Sequence, residues 1–379
     1  VISRISYVQE KGERALKKLQ GIVRDTVNKL IDELIKTSQI KRENIYQAVI
    51  VGNTVMQHLF LGLNPLNLGL FPYVPVVQDV LKLKSSEVKI KINPGGRVYV
   101  FPCIGGFIGG DTVGVILSTG LYREDNKIKI AADLGTNGEI VLSVKDKIVA
   151  TSTAAGPAFE GVKISCGMGA QKGAIEKIKL CGGNVNLEVI GGGEPAGICG
   201  SGLVDGISEF YREGIIDSSG RIKPKERQKG IWKDRIVEDN GERKFVLTEK
   251  DKKPHIYISQ KDVREFQLAK AAICAGIRIL LKKAGIHPGE VEKFFIAGGF
   301  GSYLNLQNAY QVGLFPVFSQ AEVKVVGNAA MAGAVKVLLS SYLQKEVTKI
   351  PSRVCAVELA TKDDFQTILS ECMFIGKVT

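Results

Sequence analysis

The chain has 379 residues, of which 45% are hydrophobic and 24% are charged, and its formal net charge is +12. These values are ordinary for a globular protein with a large core and two or more lobes, and no apolar run reaches the roughly 20 residues of a membrane span. The lysines are spread along the chain without interleaved aromatic residues, which favours a solvated surface or an acidic partner over a nucleic acid.

The seven cysteines are dispersed, with no Cys-x-x-Cys pair among them. This spacing argues against an iron–sulfur or zinc site built from this chain alone. An odd, dispersed set without a secretion signal is typical of reduced thiols in a cytoplasmic protein. The chain opens on Val1 in what resembles the middle of an element, so we expect it to be part of a longer polypeptide.

The first third of the chain predicts helices and two buried strands. Apolar residues recur at helical spacing from Gln9 to Thr37, which predicts one or two amphipathic helices. Strands are expected at residues 48–51 and 98–101, each followed by a glycine-bearing turn and a helix.

Two polar residues stand out on these helices. His58 lies on the short helix expected after the strand at residues 48–51, where a lone histidine is more often structural than a ligand. Asp111 lies where the helix after the strand at residues 98–101 is expected to begin. That helix should run to about Leu121, and capping its start is one role for Asp111.

The next stretch carries the strongest hairpin signal. Strands expected at residues 128–134 and 139–144 flank Asn137-Gly138, a pair that favours a tight turn because both residues tolerate positive φ. A second interpretation adds chemistry. Asp133 ends a buried strand, and the following Gly-Thr-Asn-Gly loop suits a phosphate while the carboxylate holds Mg²⁺ or its waters. The hairpin alone does not decide between the two.

Residues 154–260 look like an insertion that precedes a long helix expected at residues 262–284, capped by Asp262 or Ser259. Within it, Ser201 is well placed to cap a helix that ends near Gly214, so its segment is either a plain helix start or part of a nucleotide wall. The charged residues 222–254 are expected to form an exposed excursion.

Two more strands, at residues 294–297 and 323–326, each lead into a glycine-bearing turn. The second turn begins a helix that is expected to reach about Leu343. The tail, residues 354–373, predicts one strand and one helix.

The order of the glycine-bearing turns, at residues 101–111, 133–136, 297–301 and 327–334, together with the long insertion, resembles the actin-like ATPase superfamily of acetate and sugar kinases, heat-shock chaperones and actin. The resemblance implies an α/β fold in which two ribonuclease-H-like lobes clamp ATP. Small residues on two helices, Gly114 and Ser118 on one and Ala330, Gly333 and Ala334 on the other, suit a close helix crossing.

The match narrows to the reductive activators of corrinoid proteins, on residues 133–139, 156–161, 197–203, 297–301 and 327–330. The resemblance covers nearly the whole chain. It implies a dimeric ATPase module that helps to deliver a low-potential electron to a Co(II) corrinoid, restoring the Co(I) methyl acceptor. The electron comes from a ferredoxin-like domain, which should lie upstream, so this chain itself is expected to hold no iron–sulfur cluster or corrinoid.

The resemblance also implies a division of the chain. The remainder of the first lobe is expected at residues 1–127, the second lobe at 128–153 with 261–345, an insertion subdomain at 154–260, and a C-terminal strand and helix at 346–379. The first lobe is expected to be incomplete at its N-terminus, because the resemblance implies that the family's first phosphate loop, an Asp-x-Gly-Thr hairpin, should precede Val1.

Site roles follow from the same resemblance. Asp133 is expected to hold Mg²⁺, directly or through water, with phosphate at Gly135, Thr136 and Asn137. Asp111 occupies the position where related ATPases place an acid that orients the attacking water, so Asp111 and Asp133 are the catalytic candidates.

The adenosine pocket is expected at Gly298, Gly299, Phe300 and Gly301. Lys270 on the long helix either reaches the ribose or phosphates or is a solvated lysine. Glu160 is a further candidate for the cleft.

The function implied is ATP-dependent reductive activation in the cytoplasm, with ATP and Mg²⁺ as ligands, a corrinoid protein as partner and a homodimer as the assembly. No nucleic acid or membrane is expected. Two alternatives remain, because a fold does not fix a function. One is a small-molecule kinase of the same superfamily, and the other is a nucleotide-gated interaction module without turnover.

Overall fold

The computed structural model describes residues 2–227, 231–249, 254–300 and 304–378. The chain divides into two compact units. Unit 1 comprises Val1–Asn126, Val141–Thr151 and Asn328–Val357; unit 2 comprises Lys127–Ile140, Ser152–Gly327 and Glu358–Thr379. This division differs from the predicted one, which gave residues 141–151 and 328–345 to the second lobe.

The helices of the described residues are, in chain order, α1 Ile2–Ser38, α2 Thr54–Leu61, α3 Gly110–Thr119, α4 Gly200–Arg212, α5 Gln260–Ala284, α6 Leu306–Gln311, α7 Ala329–Leu339, α8 Ser341–Glu346, α9 Ile350–Arg353 and α10 Phe365–Cys372. α1 contains one non-helical residue, Gly12 with φ 60°, so the predicted amphipathic stretch forms two helices that meet at a kink. Among the described residues, no helix combines the length and apolar character that crossing a membrane requires.

The strands of the same residues are β1 Gln47–Ile50, β2 Leu81–Lys84, β3 Arg97–Val100, β4 Lys129–Leu134, β5 Gly138–Val144, β6 Lys147–Thr153, β7 Ala174–Cys181, β8 Asn184–Val189, β9 Gly197–Ile198, β10 Ile236–Asp239, β11 Glu242–Val246, β12 Tyr257–Ser259, β13 Lys293–Ala297, β14 Glu322–Gly327 and β15 Val354–Ala356. The hairpin predicted around Asn137-Gly138 is therefore present as β4 and β5.

Unit 1 contains the three-stranded sheet β1-β3-β2, in which β3 is parallel to β1 and antiparallel to β2. Val98 and Val100 of β3 form an apolar cluster with Phe60 of α2. A second cluster joins α1 to α2 through buried residues that include Ile5 and Leu59. Burial of these side chains is the main favourable term for this part of the fold.

Unit 2 contains β14, β13 and β4 in that order, all parallel. Phe294 and Ile296 of β13 are fully buried, as is usual for a strand paired on both sides. The long helix α5 begins where the sequence predicts, because Ser259 and Asp262 form a reciprocal capping box.

The insertion contains two small sheets, β8-β7-β9 and β10-β11-β12. Trp232 and Phe245 are buried there, whereas most other described residues of 222–254 are exposed or half-buried, so the prediction of an exposed excursion holds only in part. Ser201 lies inside α4 and does not cap it; the N-cap is Cys199, which makes no side-chain capping bond.

Helices α3 and α7 of unit 1 cross with their main chains in contact, as the small residues predict. A Cβ added to Gly333 would lie 2.3 Å from the Gly114 carbonyl oxygen, and one added to Gly114 would lie 2.7 Å from the Ala330 carbonyl oxygen. The Lys336 ammonium donates to the Ser118 carbonyl oxygen at 2.8 Å. Only glycine permits this approach at both positions.

His58 is structural, as expected. Its Nδ1 lies 2.8 Å from the Thr54 carbonyl oxygen and its Nε2 accepts from the Val76 N–H at 2.9 Å. The ring is therefore neutral with the proton on Nδ1, and burial lowers the pKa of His58 below its ordinary value of 6.5.

We expect Gly333→Ala to lower the free energy of unfolding by about 1–3 kcal/mol, because the added methyl meets backbone that cannot repack. Gly21→Ala is the matched control. Gly21 lies within α1 with no atom within 4 Å of an added Cβ, so it should gain about 0.5–1 kcal/mol. Urea denaturation of both variants measures the difference, and equal effects would contradict the close crossing.

The His58 environment predicts a dependence of stability on pH. Below about pH 6.5 the unfolded chain protonates this residue while the folded chain does not, so the free energy of unfolding falls as pH falls. His58→Gln should lose this component and, through broken buried hydrogen bonds, about 1–3 kcal/mol at neutral pH. Denaturation of both proteins between pH 7.5 and 5 measures it; parallel pH curves would contradict the assignment.

Candidate functional site

The carboxyl ends of three parallel strands lie side by side in unit 2. Ala297 of β13 is in register with Asp133 of β4 and with Gly327 of β14. The Gly298 N–H donates to the Gly327 carbonyl oxygen at 2.9 Å. Ligands of open α/β sheets bind at this edge, outside the carboxyl ends of the strands. The structure thus brings together Asp133 and Gly298, which are distant in sequence.

Gly298 lies against the end of β4. An added Cβ would be 2.4 Å from the Leu134 carbonyl oxygen and 3.0 Å from Asp133 Oδ1, and the φ of Gly298 is 92°. Both the space and the backbone conformation therefore require glycine. Gly299 differs, because it is exposed and no atom lies within 4 Å of an added Cβ.

The loop between β4 and β5, residues 135–137, is a tight turn. The Gly135 N–H donates to the Asn137 carbonyl oxygen at 3.0 Å, so this donor is used inside the loop. Gly138 lies where an added Cβ would be 2.7 Å from Thr153 Oγ1. The structure thus shows the tight turn of the hairpin interpretation, and phosphate binding at Gly135, Thr136 and Asn137 stays a prediction.

Thr136 has a partner from the insertion. Its hydroxyl donates to Glu160 Oε1 at 2.7 Å, and both side chains are exposed. Glu160 is the last residue of a 3₁₀ turn, Pro157–Glu160. The structure therefore brings this further candidate of the sequence analysis to the loop that follows Asp133.

Phe300 stacks on the insertion. Its ring centroid is 4.6 Å from that of Phe159 at an interplanar angle of 18°, and Phe159 meets Phe266 of α5 edge-on at 5.9 Å. Gly200 at the start of α4 lies against both, since an added Cβ would be 2.6 Å from Phe300 Cδ2 and 2.3 Å from the Phe159 carbonyl oxygen. The predicted site residue Gly301 lies outside the described residues.

Sequence reasoning gave no role to Phe159 or Gly200. The available signal was weak, because both lie in segments that carried the family resemblance without a motif of known chemistry. Their contact with Phe300 joins segments about a hundred or more positions apart in the chain, which periodicity cannot reveal.

Lys270 is fully buried, so the expectation of a solvated lysine is wrong. Its ammonium donates to the Phe374 carbonyl oxygen, in the segment that follows α10. Burial lowers the pKa of Lys270 to about 8. Its contact with a nucleotide stays a prediction.

Asp111 lies in unit 1, in the first turn of α3. The N-cap of that helix is Gly109, so Asp111 is not the cap residue. Its Oδ1 accepts from the Thr112 N–H at 2.7 Å, and burial raises the pKa of Asp111 above its usual range. Its role toward an attacking water stays a prediction.

Comparisons with known proteins cover the chain from end to end. A family model described as the C-terminal domain of RACo, the ASKHA domain, matches residues 127–379, and one described as the RACo middle region matches residues 1–124. A solved structure titled reductive activator for corrinoid, iron–sulfur protein superposes with a TM-score of 0.88 at 38% identity, covering 99% of this chain and 60% of that one. The predicted actin-like ATPase fold is confirmed.

Two curated relatives are similar in sequence. The corrinoid activation enzyme RamQ of Eubacterium limosum is 41% identical over 380 residues, covering 99% of this chain and 63% of the relative. The Co(II) methylated amine-specific corrinoid protein reductase of Methanosarcina barkeri is 26% identical over 346 residues, covering 80% of this chain and 59% of the relative. The chain thus spans about three fifths of the length of these relatives.

The contrast between neighbouring glycines gives a matched pair of variants. Gly298→Ala should lower the free energy of unfolding by about 1–3 kcal/mol, because it forces a strained φ and a clash with Leu134. Gly299→Ala should change it by less than about 0.5 kcal/mol. Thermal denaturation followed by circular dichroism measures both, and a neutral Gly298→Ala would contradict the close approach of β13 to β4.

Proposed function

Because the chain belongs to the RACo family of reductive activators, whose models together match nearly all of it, we propose that it is the ATP-binding and ATP-hydrolysing module of an enzyme that returns a corrinoid protein from Co(II) to Co(I). The proposal includes a corrinoid-protein partner, a homodimer, a cytoplasmic location and an electron supplied by a ferredoxin-like domain outside this chain. The relatives' names, which refer to corrinoid activation and to a corrinoid protein reductase, support it.

One structural observation carries the nucleotide part of the proposal: the main-chain approach of Gly298 to Leu134 beside the Asp133 carboxylate. At this edge, the carboxylate therefore lies beside a stretch of backbone that carries no side chain. A phosphate chain needs backbone donors at close range, and Mg²⁺ is usually bound through one or two carboxylates together with phosphates and water.

The donor set fits Mg²⁺ rather than a metal held entirely by protein. No group of three or more His, Cys, Asp or Glu side chains that could hold a metal occurs in the part of the chain that the structure describes. Asp133 supplies one carboxylate at the strand edge. Thr136 and Asn137 supply backbone N–H groups for phosphate, and Gly299 and Phe300 border the proposed adenosine pocket.

When bound, MgATP supplies a phosphoryl group whose transfer to water releases free energy. Asp111 is the proposed positioning group for that water, which its carboxyl group would orient. The chain's own task is to favour one conformation with ATP and another after hydrolysis, which changes the surface presented to the corrinoid protein.

Asp133→Asn tests the metal-binding role. Loss of the charge at similar side-chain size should weaken MgATP binding about tenfold to a hundredfold, as expected for one charge-assisted interaction. Asp146→Asn, at an exposed turn residue between β5 and β6, is the matched control and should bind as the parent does. Isothermal titration calorimetry measures the dissociation constants.

The same variants are used in an anaerobic mixture of the chain, a Co(II) corrinoid protein and titanium(III) citrate, which donates one electron per cobalt. The proposal expects ATP-dependent Co(I) absorbance with the parent chain and Asp146→Asn, and its loss with Asp133→Asn. ADP formed only when acetate or a sugar is added would instead identify a kinase, and partner binding without hydrolysis would identify a gated interaction module.

A further inference from the structure

The Pro157–Glu160 turn contacts both halves of the candidate site, that is, the loop after β4 and the loop after β13. On one side, Glu160 accepts a hydrogen bond from the hydroxyl of Thr136, three residues after Asp133, at 2.7 Å. On the other side, Phe159 stacks on Phe300 with ring centroids 4.6 Å apart. Two adjacent residues of one short turn therefore hold two loops that follow different strands, β4 and β13.

The turn is built to be stiff. The Gly161 N–H donates to the Ala158 carbonyl oxygen at 3.0 Å, and the Val162 N–H donates to the Pro157 carbonyl oxygen at 3.1 Å. Pro157 fixes the backbone at its first position. Gly161, with φ 79°, lies where an added Cβ would be 2.4 Å from the Met168 nitrogen. These hydrogen bonds and backbone restrictions together limit the conformations that the turn can adopt.

Phe159 anchors the turn in the core. It is 4% exposed, and its ring meets Phe266 of α5 edge-on at 5.9 Å. Its carbonyl oxygen lies against Gly200 at the start of α4. The exposed Glu160 therefore directly follows, in the chain, a buried residue that packs against α5 and the start of α4.

We propose that this turn couples the two halves of the nucleotide site, with Glu160 as a positioning residue that acts through Thr136 and Phe159 as a positioning residue that acts through Phe300. The proposal deepens the proposed function, since it assigns an ordering role to residues around the same site. When the Glu160–Thr136 hydrogen bond is present, the loop after β4 and the loop after β13 are ordered together. When it is lost, both loosen.

The first test needs no nucleotide. Amide hydrogen exchange of the 379-residue chain is compared for the parent, Glu160→Ala, Glu160→Gln and Thr136→Val. Loss of one charge-assisted hydrogen bond should speed exchange about tenfold at residues 133–138 and also at 297–300. Glu160→Gln keeps an acceptor oxygen and should exchange nearly as the parent does, whereas Thr136→Val should reproduce Glu160→Ala.

Glu188→Ala is the matched control, because it removes another exposed carboxylate of the insertion, which accepts from Lys177 at 2.7 Å. It should leave both segments unchanged. Faster exchange confined to residues 133–138 in Glu160→Ala and Thr136→Val would overturn the coupling, and so would a Glu160→Gln that behaves as Glu160→Ala does.

The second test uses adenosine, which has no phosphate to contact the loop after β4. If the halves are coupled, Glu160→Ala weakens adenosine binding several-fold as well as ATP binding, measured by calorimetry. An effect on ATP with none on adenosine would contradict the coupling. A parent chain that binds neither compound would count against the proposed function, and the exchange measurement would still decide the coupling.

Discussion

The close approach of the β13 backbone to the end of β4 is the constraint on which the candidate site depends. A Cβ added to Gly298 would lie only 2.4 Å from the Leu134 carbonyl oxygen. This contact brings the Asp133 carboxylate close to the start of the loop that carries Gly299 and Phe300. The parallel register of β4, β13 and β14 and the Gly298–Gly327 hydrogen bond keep the two backbones there.

The same device, backbone against backbone at glycine, recurs in unit 1 at the crossing of α3 and α7. Gly333 and Gly114 permit a helix separation that any side chain would prevent. Close main-chain packing leaves little freedom for intermediate arrangements, because packed interfaces tend to have discrete states. Both contacts thus suit a protein whose proposed work is to change conformation with a bound nucleotide.

The insertion contributes to the site through side chains rather than through a sheet. Phe159 and Glu160 reach the two loops from one turn, and Gly200 supports the ring stack from the start of α4. The insertion, which the sequence sets apart from the two lobes, therefore supplies side chains that contact both loops at the strand edge. The proposed chemistry of the edge itself rests on Asp133 and the backbone around it.

The sequence by itself determined the features that depend on neighbours in the chain: the amphipathic helices, the start of α5 near Ser259 and Asp262, and the hairpin after Asp133. The order of motifs along the whole chain determined the family. Periodicity and turn chemistry are local, so they are legible without coordinates. Only the tertiary structure decided that Lys270 is buried at Phe374, that Trp232 lies in a core, and that Glu160 meets Thr136. Burial and hydrogen-bond partners at these positions are set by segments far apart in the chain, and composition or spacing carries no record of which segments will meet.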